Sequence, residues 1–254
     1  MIPSFSSMKT SDNKGVKKNY GSAPKIFFLM LFFVAGLIAL QIPVAHVAGS
    51  KATFTVYDSF APIAGAFLGS IPGAITVLMM QVANFFLHGA VVQDIGTIIR
   101  FFPMIFGVLY FARKTRADLI IPFIAIVAFL AHPIGRQVWY FSLFWIIPIA
   151  AHFFRDRFLF IRALGATFSA HAVGGALWIW AFALPVSVWN SLIPIVAIER
   201  ILFAVGISFS FVAAANVLSL IASRTPFRVG VWIDERYLLP FLRRRYERTG
   251  NPAA

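Results

Sequence analysis

From Ile26 almost to Arg224 the chain runs through one apolar stretch after another, with no soluble-looking segment of domain size between them. Several of these stretches approach the roughly 20 residues that carry a helix across a hydrocarbon layer. In such a solvent the backbone must satisfy its own N–H and C=O groups, so the expected fold is all-α: a polytopic helical membrane bundle. Composition agrees. The 254 residues are 60% hydrophobic and 12% charged, where soluble domains carry about 25% charged residues. There is no cysteine, which removes disulfides and thiolate metal sites and says nothing about compartment.

The formal charge of +13 invites a nucleic-acid reading, but its placement argues for a membrane and against nucleic acid. Four blocks hold most of the basic residues: Lys9, Lys14, Lys17, Lys18 and Lys25; Arg113, Lys114 and Arg116; Arg155, Arg157 and Arg162; and Arg224, Arg228, Arg236, Arg243, Arg244, Arg245 and Arg248. Each block abuts an apolar run, as cytoplasmic loops do under the positive-inside rule. Laying spans between them predicts crossings at about 26–48, 58–70, 72–90, 97–112, 118–131, 136–153, 158–183 and 189–222. Because two of these are short, the count is about eight within a range of roughly six to eight. Both termini are then cytoplasmic and the protein is a multi-pass component of the cell membrane. Residues 1–25 read as a basic cytoplasmic tail, 26–222 as the integral membrane domain, and 223–254 as a second basic cytoplasmic tail. The last of these mixes Trp232, Leu238, Leu239 and Phe241 with arginines, which suits a short interfacial helix on anionic lipid or a partner-docking helix.

In the segment 58–74, "DSFAPIAGAFLGSIPGA", Ala61, Gly65, Gly69 and Gly73 recur every four residues. On a helix that spacing makes a ridge of small side chains that lets a second backbone approach closely. Close packing alone accounts for it; shaping a cavity is the further reading.

Polar side chains inside spans are functional-site candidates by default. On the predicted topology they gather toward the outer side. Asn84 and His88 share a face of span three with Gln81; Arg100 and Arg136 enter spans four and six from outside; His171 sits near mid-depth with Trp178 above it; and Asn190, Glu199 and Arg200 occupy the outer part of span eight. Asp58, Asp94, His46 and His132 rim the same side. Duller roles remain open: snorkelling for the arginines, backbone-satisfied imidazoles, interhelical hydrogen bonds for Gln81 and Asn84, and an interfacial belt for the tryptophans. Glu199 makes the sharpest demand, since a carboxylate in an apolar helix needs a cation or a proton. Arg200 points about 100° away on the helix, so the expected partner is on another span: Arg136, Arg100 or His171.

There is no HExxH, GxSxG or P-loop, and the five histidines lack metal-ligand spacing along any one helix. The expectation is a protein without catalytic residues, cofactor or metal site. An enzyme using Glu199 and His171 as an acid–base pair is the alternative from another class, and a structural or lipid-interacting protein with no small-molecule ligand is a third.

Three segments, "AGLIALQIPVAH", "YDSFAPIAGAFLGSIPGAITVLMMQVANFF" and "FFPMIFGVLYFARK", give the region from about residue 26 to 115 a likeness. It resembles the substrate-binding S components of energy-coupling factor (ECF) transporters. Ala35 and Ala39 look like the AxxxA pair of that family's first span. The resemblance implies a small helical membrane protein that captures a micronutrient in an outward-facing cavity. It also implies docking, through Ala35 and Ala39, onto a T component served by two ATPases. Its other partners would be its small-molecule substrate and membrane lipid.

Overall fold

The computed structural model describes residues 22–51, 53–224 and 234–249; the tail at 1–21, the link 225–233 and the last residues, 250–254, lie outside the described residues. Described residues are overwhelmingly helical. In chain order they form α1 (Ser22–Leu40), a hairpin of β1 (Pro43–His46) and β2 (Thr53–Thr55), α2 (Tyr57–Phe60), a 3-10 turn (Ala61–Ile63), α3 (Ala64–Leu68) and α4 (Ser70–Leu87). Then come α5 (Ile95–Ile99), α6 (Pro103–Ala112), α7 (Ala117–Ala131), α8 (Pro133–Gln137), a 3-10 segment (Trp139–Trp145), α9 (Ile146–Phe154), α10 (Leu159–Phe182), α11 (Val186–Arg224), a short 3-10 turn (Glu235–Tyr237) and α12 (Pro240–Thr249).

Among the described residues three segments are long and apolar enough to cross a membrane: Ser70–Leu87, Ile95–Ala112 and Val186–Ile221. Phe28–Leu40, Ala117–Ala131 and Trp139–Phe154 are apolar but shorter. The difference from the expected count has local causes. The predicted first span stops at Leu40 because its outer third folds into the β1–β2 hairpin, which pairs Pro43 with Thr55, Ala45 with Phe54 and His46 with Thr53. The predicted sixth span is divided between α8, a 3-10 segment and α9. Pro133 sits at the first position of α8, where its missing N–H costs nothing.

The small-residue ridge is not one helical face. The helix breaks at Gly69, whose φ of +95° is a conformation that side-chain-bearing residues rarely adopt. Gly65 therefore faces the Val108 carbonyl and Ala112 of α6, while Gly73, on α4, packs on the Ala64 backbone of α3. Spacing of four marks close packing correctly here, but to two different partners.

At the centre lies α10, which packs on α6, α7, α9 and α11. One core gathers Tyr57, Ile63, Met80, Val108, Phe111, Ile207 and Phe211 between α2, α4, α6 and α11; Leu238 and Leu242 of the C-terminal segment join it. A second gathers Phe129, Phe141, Trp145, Ile179 and Trp189 around the other side of α10. Asn216 ties the C-terminal segment to α11 by donating to the Tyr237 carbonyl at 2.8 Å and accepting from the Leu239 N–H at 2.7 Å. The bundle's outside is strongly apolar: Met30, Val34 and Ile38 on α1, Ile71 and Met79 on α4, Phe123 and Val127 on α7, and Ile198, Leu202 and Phe209 on α11 all stand exposed.

Candidate functional site

Beneath the hairpin a cavity of about 280 Å³ opens between α2, α4, α5, α6, α10 and α11. Four charged side chains reach it from three elements. Asp58 stands in the first turn of α2 and accepts from the Thr55 N–H at 2.8 Å. Arg100 caps the C-terminal end of α5, its carbonyl accepting from Gln81 Nε2 at 2.9 Å, and its Nη2 lies 3.5 Å from Asp58 Oδ2. Glu199 and Arg200 come from α11. Arg200 is only 4% exposed, yet its Nη1 reaches Thr167 Oγ1 at a long 3.4 Å.

These contacts are loose. Charge-assisted N–H···O bonds usually measure about 2.7–2.9 Å, and here Arg200 Nη2 stands 3.7 Å from Glu199 Oε2. Arg100 Nη1, Arg200 Nε and Arg200 Nη2 are buried and donate no hydrogen bond. The ring of Phe54, delivered by β2, lies against both guanidinium groups, 5.2 Å from Arg100 and 4.7 Å from Arg200. A cation over an aromatic face gains attraction from the ring quadrupole but leaves in-plane N–H donors unused.

Glu199 corrects an expectation. Its ion-pair partner is Arg200, its neighbour in sequence, rather than Arg136, Arg100 or His171. Directions drawn from α-carbons separate adjacent residues by about 100°, but a long guanidinium side chain bends back around the helix when the cavity offers space. The pair stays at ion-pair distance without forming a hydrogen bond.

His171 lines the same cavity from α10. Trp145 Nε1 donates to its Nδ1 at 3.0 Å. An indole can only donate, so in the neutral ring the His171 proton resides on Nε2. Trp178 and Trp189 also face the cavity, with their indole N–H groups committed to the Ala48 carbonyl at 2.9 Å and the Leu184 carbonyl at 3.1 Å.

Of the nine candidate binding residues, Arg100, His171, Trp178, Glu199 and Arg200 meet in this cavity. Asn84 and His88 instead line a neighbouring one of about 260 Å³, which shares Gln81 and Arg100 with the first. Asn84 Oδ1 accepts from Gln41 Nε2 at 2.7 Å and the His88 ring bonds the Asn84 carbonyl at 2.8 Å. Arg136 is exposed on α8 and lines neither cavity, and Asn190 is exposed and accepts from the Tyr140 hydroxyl at 2.5 Å. Ala39 is buried in the larger core and Ala35 is half-buried, so the two alanines do not form the outward surface of α1. Nothing in the sequence flags Phe54, which sits in what reads as a connecting loop. Thr167 does carry a signal: with His171, Gly174 and Trp178 it recurs at helical spacing along one face of α10.

A second charge cluster lies near the other end of α10. Asp118, in the first turn of α7, accepts from Arg155 Nη1 at 2.7 Å, from Thr115 N and Oγ1 at 3.3 and 3.1 Å, and contacts His152 Nδ1 at 3.1 Å. The Arg155 guanidinium stacks 4.6 Å over the Tyr110 ring. Arg162 caps the C-terminal end of α6, donating to the carbonyls of Phe111 and Ala112. This cluster opens onto neither cavity.

Among the described residues no group of three or more His, Cys, Asp or Glu side chains is placed to hold a metal ion. Compared with protein-family models, with curated proteins and with solved structures, the chain matches none.

Proposed function

We propose that the protein is a multi-pass integral membrane protein that binds a small molecule in the cavity under the hairpin, as a transporter's substrate-capturing subunit does. The observation that carries this reading is a buried arginine, Arg200, that lines the cavity and leaves two of its guanidinium nitrogens without an acceptor. A purely structural cluster consumes nearly all of its donors, as the one at Asp118 does with a single Arg155 nitrogen left over, because leaving a buried charged donor unmade costs about 1–3 kcal/mol or more. The exposed apolar sides of α1, α4, α7 and α11 support the membrane setting, since so much apolar surface is an aggregation liability in water and a matched solvent contact in hydrocarbon.

In this reading the helical segments make about six to eight crossings. The hairpin and cavity face outward, and both termini, with the four basic blocks, are cytoplasmic. The sequence has no nucleotide-binding loop of its own. Active transport would therefore draw on a separate partner, an ECF-type T component with ATPases.

Single cysteines at Lys18, Arg113 and Arg248 should all be labelled only from the cytoplasmic side; labelling from outside at any of them overturns the topology. Thermal denaturation of the purified protein against a panel of vitamins, nucleobases and metal ions should find at least one stabilising compound. Silence across that panel removes the binding reading.

A further inference from the structure

Two unlike vacancies lie side by side at the cavity wall. On one side are donors: Arg200 Nε and Nη2, and Arg100 Nη1, all buried without an acceptor. On the other is an acceptor: the Glu199 carboxylate, whose nearest cation is held off at 3.7 Å and which still shows 18% of its side chain. The charges themselves cancel, with Asp58 and Glu199 against Arg100 and Arg200. What the site lacks is hydrogen bonds, and not charge.

We infer that the cavity takes a small, flat, uncharged molecule that presents a C=O beside an N–H, the edge of an amide, lactam or ureide. This rests on the reading of the cavity as a binding site and adds the chemical class of its ligand. The ligand's carbonyl oxygen accepts from the Arg200 fork once the guanidinium turns from its place against Phe54 and Phe203 toward the cavity, and the adjacent N–H donates to Glu199, so both vacancies close at once. A bare carboxylate would use the arginines but leave a net negative charge in an enclosure walled by Phe141, Trp178 and Trp189. A bare ammonium would do the reverse. A zwitterion balances the charge but must give up the hydration of two ions to enter.

The walls fix the rest of the molecule. Both indole N–H groups are occupied by backbone carbonyls, so Trp178 and Trp189 offer only ring surface, which suits a planar body. At about 280 Å³ the cavity is near the lower end of ligand sites, which run from about 300 to 1,000 Å³. A single ring system fits that volume better than an extended chain.

The experiment measures affinities of the purified full-length protein for five probes of similar size: benzamide and uracil, which carry the amide-type edge; benzoate, an anion; benzylamine, a cation; and phenylalanine, a zwitterion. Benzamide or uracil should bind at least tenfold more tightly than the other three. Glu199→Gln and Arg200→Lys should each weaken that binding by about tenfold, as loss of a hydrogen bond to a charged group does. Asp118→Asn, which weakens the fold at the other cluster, should leave affinity unchanged. If Arg200→Lys does not fold, Glu199→Gln carries the same test. Preference for benzoate, benzylamine or phenylalanine overturns the ligand class while keeping the cavity as a binding site. Unchanged affinity in Glu199→Gln overturns it as well. Binding by none of the five overturns the inference, and the panel of vitamins, nucleobases and metal ions then decides separately whether the binding reading falls with it.

Discussion

The two charge clusters that flank α10 are made of the same residue types and are built to different standards. At the end near Leu159, Asp118 is held by Arg155 at 2.7 Å, by two donors of Thr115 and by His152, and both Asp118 and Arg155 are almost wholly buried. Toward the hairpin, the shortest ion pairs are 3.5 and 3.7 Å, and three guanidinium N–H donors have no acceptor. The first cluster is closed, with a single Arg155 Nε left over, 4.0 Å from Asp156. The second is open and has a cavity beside it. The closed cluster leaves one guanidinium nitrogen unmet and the open one three, and in the proposed reading that difference marks the ligand's place.

The strongest way to break this contrast is to remove a charge from the closed cluster. Asp118→Asn leaves Arg155 buried without its counter-ion and should destabilise the protein by about 3–5 kcal/mol, read as a lower midpoint of thermal unfolding in detergent. The double variant Asp118→Leu, Arg155→Met should recover a large part of that loss, because well-packed apolar residues replace a buried ion pair at little cost. A mild Asp118→Asn phenotype would show that the closed cluster is no better engaged than the open one.

How much of this was legible in the sequence follows from where the chain's constraints are local. Apolar length made the helices readable, and the basic blocks marked the ends near Arg113 and Arg155 without requiring any tertiary information. The membership of Arg100, His171, Trp178, Glu199 and Arg200 in one cavity was approachable from depth alone, since polar groups at one level of a bundle have few places to go. Depth does not give azimuth, however. Arg136 and Asn190 lie at a suitable level by sequence yet point away from the cavity, and Asn84 with His88 turns into the neighbouring one. The hairpin escaped because "QIPVAH" is apolar enough to extend a helix; pairing with Thr53–Thr55 across a loop is a non-local choice. Gly69 shows the limit of periodicity, since a spacing of four cannot report the positive φ that ends the helix carrying it.

A sharper comparison comes from Glu199→Gln. The pair with Arg200 is long and partly exposed, so its removal should cost about 1–2 kcal/mol, well below the closed cluster's value. Unfolding midpoints of Glu199→Gln and Asp118→Asn measured side by side test this directly. Equal losses would make the open cluster a structural pair after all and remove the reason to place a ligand there.

The smallest expected effect belongs to Asp94, which anchors the hairpin loop above the open cluster and caps α5. Burial disfavours its charged form, but donors outweigh it: the Lys51 N–H at 3.1 Å, the Ser50 hydroxyl at 2.8 Å and the Thr97 N–H at 3.1 Å hold its carboxyl below the ordinary carboxylate range. A carboxyl with a lowered folded-state pKa stabilises the fold fully above its unfolded value, about 3.9, and loses that contribution as pH falls through the folded-state value. The hairpin end should therefore loosen only below about pH 4. Asp94→Asn keeps a competent helix cap but loses the charge on those bonds, so it should cost roughly 0.5 kcal/mol at neutral pH. It should also flatten the acid limb of stability against pH relative to the parent protein. Because the loop roofs the cavity beside Trp178, whose indole bonds the Ala48 carbonyl, tryptophan fluorescence followed from pH 7 to pH 3 gives a local readout. An acid transition of the same midpoint and size in Asp94→Asn would assign it to another carboxylate and leave the hairpin's anchoring to its β pairing alone.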